Sequence, residues 1–150
     1  SLSSRRSLIF TVIAKNAETG RPETPANKIL LDAPCSALGT LRRHPEGAWI
    51  KRPDDVARYP DIQARLLRAS SEMLAPGGVL IYCVCTPLPS EGRDVVNAAL
   101  EEGVLSRVPV MSDDVPGFAD CITPEGDLLT LPSPTRACDA FFISRLMKSP

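Results

Sequence analysis

At 150 residues, 43% of them hydrophobic, the chain is about one domain long and can bury a core. No apolar run reaches the roughly 18 residues of a membrane helix, so no membrane partner is expected. The formal net charge of −1 hides an asymmetry: Leu41 to Arg52 holds four basic residues (Arg42, Arg43, Lys51, Arg52) against Glu46, whereas Glu91 to Asp127 holds nine acids against two arginines.

Such a basic band suits a polyanionic partner such as RNA, and it equally suits an ordinary solvated loop. Ser1 to Arg6 leads into no long apolar segment, so no signal peptide is read. The chain does not open on Met, which suggests a piece of a longer one. Its 15 prolines gather at element boundaries and in the last third, the mark of a loop-rich fold.

In chain order, Leu8-Ile9-Phe10-Thr11-Val12-Ile13 is β-branched and aromatic and predicts a strand. Residues 16 to 26 carry Gly20, Pro22 and Pro25 and predict a loop. Residues 28 to 33 are apolar without alternation, as in a strand covered on both faces. That strand runs into Asp32, Pro34 and Cys35, an acid and a thiol at its carboxyl end, where α/β sheets bind ligands. Ser36 to Pro60 is long and irregular, and loops of that length are usually functional. Trp49, the only tryptophan, lies inside it as either a core anchor or a substrate-facing group.

Asp61 to Leu74 predicts a helix: Ile62, Leu66, Ala69 and Met73 repeat on one face, Pro60 suits the first turn, and Pro76-Gly77-Gly78 stops it. Val79 to Cys85 predicts a strand that again ends in a thiol. Ser90 is placed to cap a helix through Glu102, with Val95, Val96, Ala99 and Leu100 inward. Two further strands are expected, Gly126 to Leu131 and Ala140 to Leu146. The order predicts the C-terminal half of a doubly wound α/β domain, parallel strands with crossover helices and a closing antiparallel hairpin.

The five cysteines have no CxxC spacing and one histidine for company, so neither zinc nor any other metal is expected, and reduced thiols suit a cytoplasmic protein. Cys83, Cys121 and Cys138 read as small buried hydrophobes. Cys35 and Cys85 differ, because a right-handed crossover brings both strand ends to one edge of the sheet, with Asp32 beside them. A Cys35–His44 dyad has no third group to orient it.

The run Leu31-Asp32-Ala33-Pro34-Cys35-Ser36-Ala37-Leu38-Gly39-Thr40-Leu41-Arg42-Arg43-His44-Pro45 resembles motif IV of the RNA (cytosine-5) methyltransferases of the Sun, RsmB and NSUN type, which include bacterial small-subunit rRNA enzymes. Trp49-Ile50-Lys51-Arg52-Pro53-Asp54-Asp55, Gln63-Ala64-Arg65-Leu66-Leu67 and Pro76 to Thr86 resemble the segments that follow, the last being motif VI. Gly126 to Pro132 and Asp139 to Leu146 resemble the closing segments. The likeness runs from about residue 16 to the end.

The resemblance implies a Rossmann-like S-adenosylmethionine-dependent methyltransferase fold, with residues 1–150 a partial catalytic domain. It implies Cys85 as the nucleophile on cytosine C6, Cys35 as the product-release partner, and Asp32 between base and cofactor. It implies S-adenosylmethionine as cofactor and RNA, rRNA or tRNA, as partner, held by phosphate contacts from Arg42, Arg43, His44, Lys51 and Arg52. Asn16 aligns with an adenine-contacting Asp of the family and becomes the second cofactor contact. Asp139-Ala140 replaces the usual Asp-Gly, and the Gly-rich cofactor loop and ribose-binding acid are not in the sequence. A monomer is expected. The competing reading is a non-catalytic RNA-binding remnant. An exocyclic-amine methyltransferase needs no paired thiols, and they count against it.

Overall fold

A computed structural model describes residues 15–150; the strand expected at Leu8 to Ile13 lies outside the described residues. Strands β1 (Ala26–Asp32), β2 (Leu74–Val84), β3 (Leu105–Arg107), β4 (Leu128–Thr130) and β5 (Phe141–Lys148) form one sheet. Helices α1 (Gly47–Ile50) and α2 (Pro53–Val56) interrupt the long loop, and α3 (Tyr59–Met73) and α4 (Arg93–Glu101) carry the packing. Among the described residues no helix is long and apolar enough to cross a membrane.

The crossover is as expected. β1 leads through α3 into β2, and the two strands pair in parallel with Leu31 opposite Tyr82 and Asp32 opposite Cys83. β5 then runs antiparallel to β2, with Val84 opposite Phe142. The closing hairpin is therefore folded inward: β5 sits between β2 and a split outer edge. β4 pairs with the start of β5 and β3 with its end. At three residues, β3 is too short to show a period in the sequence; its partner β5 defines it.

Alternation along β2 explains the layering. Leu80, Tyr82 and Val84 are fully buried under α3 and α4, together with Leu67, Val95, Val96, Phe142 and Leu146. Ile81 and Cys83 point the other way and are half-buried. Burying such aliphatic and aromatic side chains is worth about 1.5–3 kcal/mol each.

Four expectations change. β1 is not covered on both faces: Leu30 is 71% exposed, because α3 packs on one face only and β2 is the only strand beside β1 among the described residues. The buried stripe of α3 is turned by one position, to Gln63, Leu67 and Ser70 with Ala69, while Ile62, Leu66 and Met73 are half-buried. The rotation follows from the inward pull on Gln63, whose amide bonds Glu91 and the carbonyl of Pro34. Pro76-Gly77-Gly78 does not separate helix from strand, since α3 passes straight into β2. These residues form a bulge, so that Ala26 faces Leu74 and Lys28 already faces Val79. Gly77 takes φ +72 there, a conformation that suits glycine. Finally, Ser90 does not cap α4. Residues 88–92 close a turn, with the N–H groups of Glu91 and Gly92 both donating to the Leu88 carbonyl, and the helix starts at Arg93.

Candidate active site

β1 and β2 end side by side, and the ladder continues one step beyond β1: the Ala33 N–H donates to the Cys83 carbonyl at 3.0 Å. The chain then turns through Pro34 and Cys35 into a 3-10 turn at Leu38–Thr40, where Gly39 N–H donates to the Cys85 carbonyl at 3.0 Å. These two backbone bonds bracket the thiols. Cys35 Sγ and Cys85 Sγ lie 3.3 Å apart, within hydrogen-bond range for sulfur.

Burial raises the pKa of two of the thiols at this edge. Burial, and then the hydrogen bond to Cys85, pushes the Cys35 thiol up to about 12. Burial, and then the nearby Asp32 charge, pushes Cys83 up to about 11. Both therefore hold their protons near neutral pH. Asp32 is exposed at the strand end beside Cys83, with no hydrogen-bond partner among the described residues. Cys35, Cys85 and Asp32 thus stand at the ends of the two paired strands, while Cys83 and Cys138 are half-buried rather than core residues.

A buried polar lattice supports this edge, and sequence reasoning missed it. Glu91 is fully buried; its Oε2 accepts the Ser36 N–H at 2.8 Å and the Gln63 Nε2–H at 3.0 Å. Gln63 Nε2 also donates to the Pro34 carbonyl at 3.0 Å, and Ser36 Oγ donates to Thr86 Oγ1 at 3.1 Å. Tyr82 Oη donates to the Glu91 carbonyl at 2.6 Å. The only sequence signal was an acid wedged between Ser90 and Gly92 at a helix start, which ordinarily marks a solvated turn.

The basic band is partly committed. Arg43 Nε donates to Asp139 Oδ2 at 2.7 Å, and Arg42 approaches the same carboxylate at 3.9 Å. The Arg43 bond holds the Asp139 carboxyl below its usual range. His44 Nδ1 lies 3.2 Å from Glu46 Oε1 and is exposed, so it does not form the dyad with Cys35. Lys51 and Arg52 make no ion pair among the described residues. Trp49 is 92% exposed and Ile50 70%, so Trp49 is not a core anchor.

Asn16 lies on the surface before β1. Its Oδ1 accepts the Glu18 N–H at 2.8 Å, a local turn that leaves its amide N–H groups as the available donors. As groups for an adenosine cofactor, Asn16 and Asp32 fit in chemistry: an amide donor and a solvent-facing carboxylate acceptor at the carboxyl end of a parallel strand. Among the described residues no cluster of three or more His, Cys, Asp or Glu could hold a metal ion.

Known proteins share this arrangement of sequence and fold. Residues 5–147 match the family described as 16S rRNA methyltransferase RsmB/F. The chain is 39% identical over 126 residues to ribosomal RNA small subunit methyltransferase B of Cronobacter sakazakii, covering 84% of this chain and 27% of that protein. It is 38% identical over 122 residues to the same enzyme of Klebsiella pneumoniae, covering 81% and 26%. The chain thus spans about a quarter of the length of these relatives. Among solved structures, a methyltransferase homologue protein from Pyrococcus horikoshii superposes with TM-score 0.65 at 28% identity, over 83% of this chain and 40% of that one. NSun6 from Pyrococcus horikoshii, solved with SFG, gives TM-score 0.73 at 24% identity over 93% and 35%, a likeness of fold. The chain belongs to the 16S rRNA methyltransferase RsmB/F family.

Proposed function

We propose that the protein carrying this chain methylates C5 of a cytosine in RNA, in rRNA rather than tRNA, through a covalent adduct between Cys85 and C6. The observation that carries this reading is the 3.3 Å approach of Cys35 Sγ to Cys85 Sγ at the ends of two parallel strands. A second thiol within hydrogen-bond range of the first can exchange a proton with a sulfur that first attacks and then leaves.

C5 of cytosine is a weak nucleophile. Addition of the Cys85 thiolate to C6 turns C5 into an enamine carbon that can take a methyl group. S-adenosylmethionine, when bound, supplies that methyl as an electrophile. In this scheme Asp32 and Asn16 hold the cofactor side, and Asp32 also faces the charge that develops on the ring. After transfer, the C5 proton departs, the C5–C6 double bond re-forms, and the C6–S bond breaks with its electron pair on Cys85. As the C6–S bond breaks, the departing sulfur takes its proton from the Cys35 thiol, whose Sγ lies 3.3 Å away. The proton released from C5 then restores Cys35.

A cytosine inside a duplex presents no free face, so the substrate base is single-stranded or flipped out. Arg42, Arg43, His44, Lys51 and Arg52 supply phosphate contacts, and exposed Trp49 supplies a stacking surface for a flanking base.

The test uses the complete reading frame that contains this chain, an in-vitro small-subunit rRNA transcript and S-adenosylmethionine. Cys85→Ala is expected to abolish methylation. Cys35→Ala is expected to accumulate an RNA adduct that survives denaturation. Methylation by Cys85→Ala with no adduct in Cys35→Ala refutes the assignment. Calorimetry showing no cofactor binding supports an RNA-binding remnant instead.

A further inference from the structure

We propose that Glu91 is a positioning residue that sets Cys35 against Cys85 for the release step; this rests on the two-thiol reading above. Glu91 makes no contact with either sulfur. It acts through Ser36, whose N–H it holds at 2.8 Å, one residue after Cys35.

A carboxylate is an expensive way to satisfy one backbone N–H inside a core, because burying a charged group costs several kcal/mol unless it is well bonded. Glu91 is fully buried, and its Oε1 has no hydrogen-bond partner among the described residues. A side chain that only filled space there could be apolar. The carboxylate instead gathers two donors on one oxygen, and both lead to the Cys35 loop. Ser36 N–H comes directly from that loop. Gln63 bridges Glu91 to the Pro34 carbonyl, one residue before Cys35. Cys35 is thereby gripped on both flanks by one acid and one amide.

The other end of the grip is fixed on the Cys85 strand. Tyr82 Oη ties the Glu91 backbone to β2 three residues before Cys85. Thr86, immediately after Cys85, accepts the Ser36 hydroxyl. Glu91 therefore closes a loop of hydrogen bonds that runs from the nucleophile's strand to the release thiol and back. Proton transfer to a departing sulfur depends steeply on distance and angle, and a shift of about 1 Å can cost about a hundredfold in rate. The adduct-forming step needs only Cys85 and is less exposed to such a shift.

The complete reading frame is assayed with the small-subunit rRNA transcript and S-adenosylmethionine, with Cys35→Ala as the reference. Glu91→Ala is expected to lower turnover by about 10- to 100-fold. Methyl transfer in a single turnover should change no more than a few-fold, and a denaturation-resistant RNA adduct should accumulate as in Cys35→Ala. Glu91→Gln keeps an oxygen acceptor for Ser36 and should recover most of the turnover. If Glu91→Ala does not fold, Gln63→Leu, which removes the grip on Pro34, carries the same expectation. Equal loss of single-turnover transfer and turnover, without adduct, overturns the inference while Cys35→Ala still traps RNA. If Cys35→Ala itself traps nothing, the two-thiol reading fails and takes this inference with it.

Discussion

Gly39 touches the backbone of Cys85 on one side and of Ala140 on the other. Its N–H reaches the Cys85 carbonyl at 3.0 Å, and its carbonyl accepts the Ala140 N–H at 3.0 Å. A Cβ built at Gly39 would lie 2.0 Å from the Ala140 oxygen and 2.9 Å from the Cys85 oxygen. Glycine is required here for close approach, since any side chain must push apart the two segments that Gly39 joins. Gly39→Ala is expected to cost about 1–3 kcal/mol, as overpacking does. It should also separate the thiols. Urea unfolding reads the first effect; the rate of diamide-induced Cys35–Cys85 cross-linking reads the second. Unchanged stability and cross-linking would show that the contact is slack.

The raised thiols predict an alkaline effect of defined sign. An ordinary thiol titrates at 9.0, whereas Cys35 is pushed to about 12 and Cys83 to about 11, burial being the first cause for both. Between pH 9 and those values the unfolded chain has lost protons that the folded chain keeps. The folded state then binds more protons, so stability falls as pH rises through this window and is independent of these groups below pH 9. The urea midpoint should drop between pH 9 and 11, and the drop should be shallower in Cys83→Ala and Cys35→Ala. At pH 8 Cys35 holds much less thiolate than an ordinary thiol does. Iodoacetamide should therefore label Cys35 far more slowly in the folded protein than in urea, as peptide mapping can show. Equal rates in both states would contradict the burial of this thiol.

Trp49 offers a clean separation of stability from binding. It is 92% exposed on the short helix α1, next to exposed Ile50. Trp49→Ala should leave thermal stability within about 0.5 kcal/mol, as for surface substitutions generally. Under the proposed function it removes a stacking surface worth about 1–3 kcal/mol per base, so RNA affinity should fall at least about fivefold. A loss of stability with unchanged RNA binding would make it a packing residue after all.

The sequence carried the site further than it carried its support. Cys35, Cys85 and Asp32 were legible because each ends or follows an apolar run, and the crossover rule brings such ends to one edge. Their 3.3 Å approach was not legible, because it depends on Gly39 and on Glu91, residues remote from one another in the chain. The turned face of α3 has the same origin: apolar periodicity marks Ile62 and Leu66, but the hydrogen bonds of Gln63 decide which side faces inward. β3 and the inward place of β5 are set by pairing across the sheet, which no local window contains.

The basic band divides into cations that the fold pairs and cations that it leaves unpaired among the described residues. Arg43 is bonded to Asp139, whereas Lys51 and Arg52 have no ion pair among the described residues. Under the proposed function each phosphate contact adds about 0.7 to the slope of log affinity against log salt for a single strand, against about 0.9 for duplex DNA. Lys51→Ala and Arg52→Ala should each lower that slope by about that amount and leave the urea midpoint unchanged. Arg43→Ala should lower the midpoint as well, because it strips the nearly buried Asp139 carboxylate of its strongest partner. Asp139→Asn separates the two roles, since it loosens Arg43 without removing its charge; the salt slope should persist while the midpoint falls. Filter binding across a salt series, paired with urea unfolding of the same variants, measures both. An unchanged slope in Lys51→Ala and Arg52→Ala would move the RNA path away from this loop.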